Sequence, residues 1–132
     1  MRREADSILV KRLQGVYWPS WCERITYRRV MRARPLEHSN KRGDSYDPGR
    51  VRYFVERFKR GESVDPIRID TDVIQYSYGS PPVWGLPIID DGHHRFVAAV
   101  LLRKRRIRAH IAGLVAYGEW LKGERRQLPE IS

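Results

Sequence analysis

Cysteine is almost missing from this chain. Cys22 is the single cysteine among 132 residues, which excludes an intrachain disulfide and a cysteine-ligated zinc site and suits a reducing compartment. Long apolar runs are missing too. Ile8-Leu9-Val10 is the longest near the start, far short of a membrane span. The opening Met1-Arg2-Arg3-Glu4-Ala5-Asp6 places acidic residues where a secretory leader needs an apolar stretch, so no leader is expected. No G-x-x-x-x-G-K-[ST] loop occurs, which excludes a P-loop enzyme, and no serine stands in a nucleophile elbow. Repeats and low-complexity tracts are absent. These absences leave a cytoplasmic, single-domain protein without membrane contact as the expectation.

What the chain does have is positive charge. Lys and Arg number 26 against 16 Asp and Glu, so the formal net charge is +10. The excess is lopsided, with 21 Arg and 5 Lys. Arg captures phosphate with a planar fork and stacks on bases, so a polyanionic partner is expected, nucleic acid before a membrane surface. Two stretches concentrate this charge: Arg103, Lys104, Arg105, Arg106 and Arg108, and residues 24–34 with Arg28, Arg29 and Arg32. Each cation can neutralise one DNA phosphate, giving salt-sensitive, mostly sequence-independent binding. The same runs also suit a solvated face.

The apolar pattern predicts an amphipathic helix over residues 5–16, broken by Pro19. Residues 24–34 fit either an edge strand or a basic helix. Residues 35–45 read as a loop. A helix over 48–60 is clearest, with Asp47 as N-cap, Pro48 in the first turn and Gly61 as stop. Its apolar face carries Val51, Phe54, Val55 and Phe58, and Arg52, Glu56, Arg57, Lys59 and Arg60 are assigned to water. A short strand at 65–70 follows, then a hairpin of 73–78 with 83–89 around Gly79-Ser80-Pro81-Pro82. A strand at 107–111 and a helix over 114–122 close the chain. The class is α+β, a small mixed sheet flanked by helices. The organisation is an N-terminal helical extension (1–23), a domain (24–123) and a polar tail (124–132).

Residues 88–102 carry the chemistry. Ile88-Ile89 form a buried strand, Asp90-Asp91-Gly92-His93-His94-Arg95 a glycine turn, and residues 96–102 an Ala- and Leu-rich helix. A helix N-terminus offers unpaired N–H groups and a positive dipole end to an anion. Gly92 permits a sharp turn and close approach of a ligand. Arg95 can grip a phosphate with two hydrogen bonds, and His93 and His94 can donate hydrogen bonds or exchange protons. The parts suit a phosphate cradle. They suit an ordinary strand-to-helix turn as well, or a metal site drawn from Asp90, Asp91, His93 and His94. In a milder version, Mg²⁺ on Asp90 and Asp91 bridges to the phosphate and removes their repulsion. Trp18, Trp21 and Trp84 could stack on bases or cap the core; His110 reads as structural.

Asp91-Gly92-His93-His94-Arg95, with Phe96 and Ala98-Ala99 after it, resembles the motif of the ParB/sulfiredoxin-like superfamily. That family reads D-G-x-H-R, or G-E-R-R in the chromosome-partition branch. The helix at 48–60, the strand at Asp65-Pro66-Ile67-Arg68-Ile69 and the strand at 107–111 fall in the family's order, over roughly residues 24–113. The resemblance implies a free-standing member of the ParB N-terminal-like nuclease and nucleotidase group, of the kind encoded on plasmids and phages. It implies that Gly92, His94 and Arg95 hold nucleotide phosphates and that Asp65, Pro66 and Ile67 lie near the nucleoside. Sulfiredoxins carry their reactive cysteine directly after the motif glycine, where this chain has His93, so sulfinic acid reduction is not expected. The partition branch binds CTP, and its glutamate is also replaced by His93. A partition-type helix-turn-helix and dimerisation domain is not expected in the twenty or so residues after the last strand.

Together these readings give a nucleotide-binding, NTP-hydrolysing domain acting on or beside DNA, with ATP or CTP and Mg²⁺ as ligands. Gly92 and the following amides hold the phosphates. His94 and Arg95 stabilise charge on the transferred group, and His93 or the bound Mg²⁺ orients water. Two alternatives share the sequence: a metal-assisted DNase in the same pocket, and a non-catalytic basic accessory protein that binds DNA or protein. Homodimerisation or a partner protein stays open in each.

Overall fold

The computed structural model describes residues 4–18, 22–38, 47–72, 74–75, 83–84 and 87–129. In chain order its elements are β1 (Asp6–Leu9), α1 (Val10–Val16), α2 (Tyr27–Arg32), α3 (Pro48–Lys59), β2 (Ile67–Asp70), β3 (Ile74–Gln75), β4 (Val83–Trp84), β5 (Ile88–Asp91), α4 (His93–Leu101), β6 (Arg106–Ala112) and α5 (Val115–Lys122). Four strands form a mixed sheet in the order β1-β6-β2-β5. β6 pairs antiparallel with β1 and parallel with β2, and β2 pairs antiparallel with β5. The protein is therefore α+β, as its interspersed elements predict.

Alternation along the strands decides which sheet face is covered. Ile107 and Ala109 in β6, and Ile67 and Ile69 in β2, are buried, whereas Arg108 and Arg68 between them are exposed. The buried face receives α4. Phe96 and Ala99 of α4 join Ile8, Leu13, Ile67, Ile69, Ile89 and Ile107 in one apolar cluster. Val97 and Ala98 join Val30, Val51, Phe54 and Val55 in a second, against α2 and α3. α4 is thus buried on two sides, which an Ala-rich sequence with one large ring permits.

The caps follow local chemistry. Asp47 accepts from the amides of Gly49 (3.1 Å) and Arg50 (3.4 Å), capping α3 as its sequence predicts. Gly61 ends that helix at φ 70. Its amide bonds to the Phe58 carbonyl and the Glu62 amide to the Arg57 carbonyl, the paired closure of a Schellman motif. Thr26 accepts from the Arg29 amide at 3.1 Å, and that cap makes residues 27–32 the helix that sequence left open between helix and strand.

Two expectations need correction. Residues 5–16 are not one helix, because Asp6–Leu9 pairs along β6, with Ile8 opposite Ile107, before α1 begins. The apolar spacing of Ala5, Ile8, Leu9 and Leu13 fits a helix, but the segment finds a partner in β6, and cross-strand pairing decides. The segment 1–23, read as a helical extension, hence supplies an edge strand and the buried side chains Ile8, Val10 and Leu13. Likewise 83–89 is not one strand of a hairpin. β3 pairs with β4, but Ile88–Asp91 departs to pair with β2 in the main sheet. The turn Gly79-Ser80-Pro81-Pro82 lies outside the described residues.

Ile8→Ala is expected to lower stability by about 3 kcal/mol, the cost of truncating a fully buried aliphatic side chain. Urea denaturation checks it. A dispensable N-terminal extension would instead show almost no change.

Candidate functional site

The turn into α4 is built around Gly92, which has φ 101 and ψ 26, a left-handed conformation that favours glycine. A Cβ there would lie 2.7 Å from Ile67 Cγ2. The space where a Cβ would stand is therefore filled by Ile67 of β2. This close approach locks the segment 65–67 against the start of α4.

The three residues after Gly92 point to three different places. His93 Nε2 lies 2.7 Å from Tyr17 Oη, with the two rings tilted by 47°. His94 Nε2 accepts from the Asp47 amide at 3.2 Å, linking the starts of α4 and α3. Burial drives the His94 pKa down to about 4, with Arg50 and His93 adding repulsion and Asp47 opposing them. His94 is thus neutral near pH 7, and the nitrogen facing Asp47 carries no proton. Arg95 turns to the strand entrance instead. Its Nη1 donates to the carbonyls of Asp65 (3.1 Å) and Pro66 (2.7 Å), and its Nη2 lies 3.3 Å from Asp91 Oδ2.

So Arg95, Asp65, Pro66 and Asp91 come together, Ile67 packs under Gly92, and His93 and His94 face away to other elements. A single cradle made of all three side chains is not what forms. Asp90 is exposed and lines a separate hollow with Arg68, Asp70 and His110. Among the described residues no three of His, Cys, Asp and Glu are grouped to hold a metal ion. Asp90 and Asp91 are neighbours in β5, where successive side chains diverge.

Beside Arg95 is a pocket of about 250 Å³ that the sequence did not reveal. Arg50 and Arg57 of α3 line it with Arg95, Tyr53 and Phe54, and Glu37, His38, Ser63, Val64 and Asp65 complete the rim. The Arg50 guanidinium lies 4.3 Å from the Phe54 ring centre and 5.2 Å from that of Tyr53. Arg95 sits 5.8 Å from the Phe54 centre and Arg57 5.7 Å from that of Tyr53, within range of cation–π attraction. Arg57 also donates to Tyr53 Oη (3.2 Å) and the Ser63 carbonyl (2.7 Å). Burial lowers the Arg50 pKa, and repulsion from Arg95 lowers it further, against the attraction of Tyr53, Glu37 and Asp47. The sequence pattern assigns Arg52, Glu56 and Arg57 largely to water, but all three are half-buried, while Lys59 and Arg60 are exposed as expected. The overlooked signal is the spacing of Arg50, Tyr53, Phe54 and Arg57, three and four apart on one helix flank.

The basic stretches do not act as units. Arg106 is half-buried and donates to the carbonyls of Ser7 and Lys122, both at 3.0 Å, so it ties β1 to α5. Arg108 stands on the open sheet face, and Arg103, Lys104 and Arg105 line a groove with α1. Arg28, Arg29 and Arg32 are exposed on α2. Trp18 packs edge-on to Phe96 at 6.2 Å and belongs to the core. Trp21 and the side chain of Trp84 lie outside the described residues. Burial pushes the Cys22 thiol up to about 12, leaving it unreactive at neutral pH.

Compared with known proteins, the chain matches no family model, no curated protein and no solved structure.

The depressed pKa of His94 makes stability pH-dependent. The unfolded chain takes up this proton near pH 6.5 and the folded one near 4, so stability is full above 6.5 and is lost as pH falls towards 4. Over that window the melting temperature of wild type should drop more than that of His94→Gln; parallel curves would show that His94 is not held neutral. Gly92→Ala should cost about 3 kcal/mol in chemical denaturation, since it adds left-handed strain to the clash with Ile67.

Proposed function

We propose that the protein binds a nucleotide, with its phosphates in the pocket of Arg50, Arg57 and Arg95 beside the start of α4, and works on or beside DNA. The observation that carries this reading is the convergence of guanidinium groups from two helices. Arg50 and Arg95 are close enough to repel, and both lie over the ring of Phe54. Like charges held together are relieved by an anion, and a planar fork suits phosphate oxygens. The volume of about 250 Å³ accommodates a phosphate chain, with the nucleoside extending past the rim at Asp65.

The reading draws also on the resemblance of Asp91-Gly92-His93-His94-Arg95 to the ParB/sulfiredoxin-like motif, and the dipole of α4 adds a favourable field for an anion. This reading shifts the phosphate grip from the Gly92-His93-His94-Arg95 segment to Arg95 together with α3. In hydrolysis the three arginines would stabilise charge on the transferred phosphoryl group, with Mg²⁺ drawn from solution on the nucleotide itself.

Thermal unfolding with ATP, CTP and ADP, each with and without Mg²⁺, tests the proposal. Nucleotide at about a hundred times its dissociation constant stabilises the folded state by roughly 2.7 kcal/mol. Arg50→Ala is expected to weaken binding about tenfold or more, the loss of a charged hydrogen bond. A wild-type melting temperature that no nucleotide moves would overturn the reading, as would equal shifts in Arg50→Ala. Phosphate release by the wild type, lost in the variant, reports turnover.

A further inference from the structure

We propose that the groove between α1 and the turn from α4 to β6 is a docking surface for the phosphate backbone of duplex DNA. This deepens the DNA half of the proposed function and is independent of the nucleotide half. The groove has a volume of about 800 Å³ and is lined by Leu9, Val10 and Val100 beneath Lys11, Arg12, Arg103, Lys104 and Arg105, with Gln14. Among the described residues that line it are five cations and no carboxylate.

Those cations are not equally committed. Arg12 is fixed to the carbonyls of Trp120 and Arg125 and lies over the Trp120 ring. Lys104 rests 4.9 Å from the Phe58 ring centre. Lys11, Arg103 and Arg105 are exposed, and none of them has an ion pair among the described residues. The surface therefore offers three uncompensated positive charges, on a chain with net charge +10.

Arg103 adds an independent pointer. α3, α4 and α5 close with the same pair of main-chain bonds: Gly61 to Phe58 and Glu62 to Arg57, Arg103 to Val100 and Lys104 to Ala99, Gly123 to Trp120 and Glu124 to Glu119. The left-handed seat of this closure is filled by Gly61 (φ 70) in α3 and Gly123 (φ 88) in α5, but by Arg103 (φ 55) in α4. Among the described residues Arg103 is the sole non-glycine with positive φ. An arginine in a seat that favours glycine is strained, and such strain persists where the side chain serves a purpose. At this seat the guanidinium stands at the lip of the groove.

Lining chemistry selects the occupant. Among the described residues that line the groove none is aromatic, so unpaired bases meet no stacking platform there and a single strand gains little. Exposed cations above an apolar floor match a continuous phosphate backbone, bound by charge without base readout.

The test measures binding of a fluorescent duplex of about 20 base pairs to the full chain across a salt series. Arg103→Gly removes the charge and suits the backbone seat. It is expected to keep or raise the melting temperature, leave nucleotide-induced shifts unchanged, and reduce the salt slope by about one phosphate contact, roughly 0.9 in log K against log salt. Arg105→Gln, at a position with ordinary backbone geometry, should reduce the slope alike. Arg68→Gln, a control cation on the open sheet face, should not. Unchanged affinity in both groove variants would overturn the proposal, and so would an equal loss in Arg68→Gln, which would make net charge the cause. Equal or tighter binding of the single strand, or of poly-glutamate of matched charge, would overturn it in favour of those partners.

Discussion

The burial of α4 between two apolar clusters is the constraint on which the rest depends. Phe96 and Ala99 face the sheet while Val97 and Ala98 face α2 and α3. A helix covered on both sides leaves only its ends for polar work. Its start is set by Gly92, whose missing side chain lets β2 approach to contact. Its end is set by Arg103, where the chain turns out towards β6. Both functional proposals lie at these two ends, because there the charged residues adjoining a buried helix reach water.

Arginine has a second task in this protein. Arg12, Arg50, Arg52, Arg95 and Arg106 each use one Nη1 to reach two main-chain carbonyls: Trp120 and Arg125, Leu36 and Glu37, Met31 and Ala33, Asp65 and Pro66, Ser7 and Lys122. Several of these carbonyls sit at helix ends, where the backbone lacks partners of its own. A guanidinium presents more donors than an ammonium in a fixed fork. Part of the bias towards Arg over Lys is therefore internal fastening: these side chains keep their charge while some of their N–H donors are already taken by the main chain.

The groups around α4 also illustrate why neighbours in sequence need not share a task. His93, His94 and Arg95 lie within one helical turn, yet successive side chains on a helix point about 100° apart. They reach Tyr17, Asp47 and the Asp65–Pro66 carbonyls in turn. Arg50 and Arg95, 45 positions apart, meet over one Phe54 ring because α3 packs along α4.

The sequence alone determined what rests on local chemistry. The Asp47–Pro48 start and Gly61 stop of α3, the strand–Gly92–helix junction, the buried alternation of β2 and β6, and the α+β class all depend on residues close in the chain. Three things were decided by tertiary structure. β1 is a strand because β6 offers it a partner, although its apolar spacing fits a helix. β5 leaves β4 for β2 because β2 presents a matching edge. The arginine pocket and the basic groove join side chains from elements far apart in sequence, and the direction of each depends on helix packing. Periodicity reports which face of an element is apolar; it carries no information on which other element that face will meet.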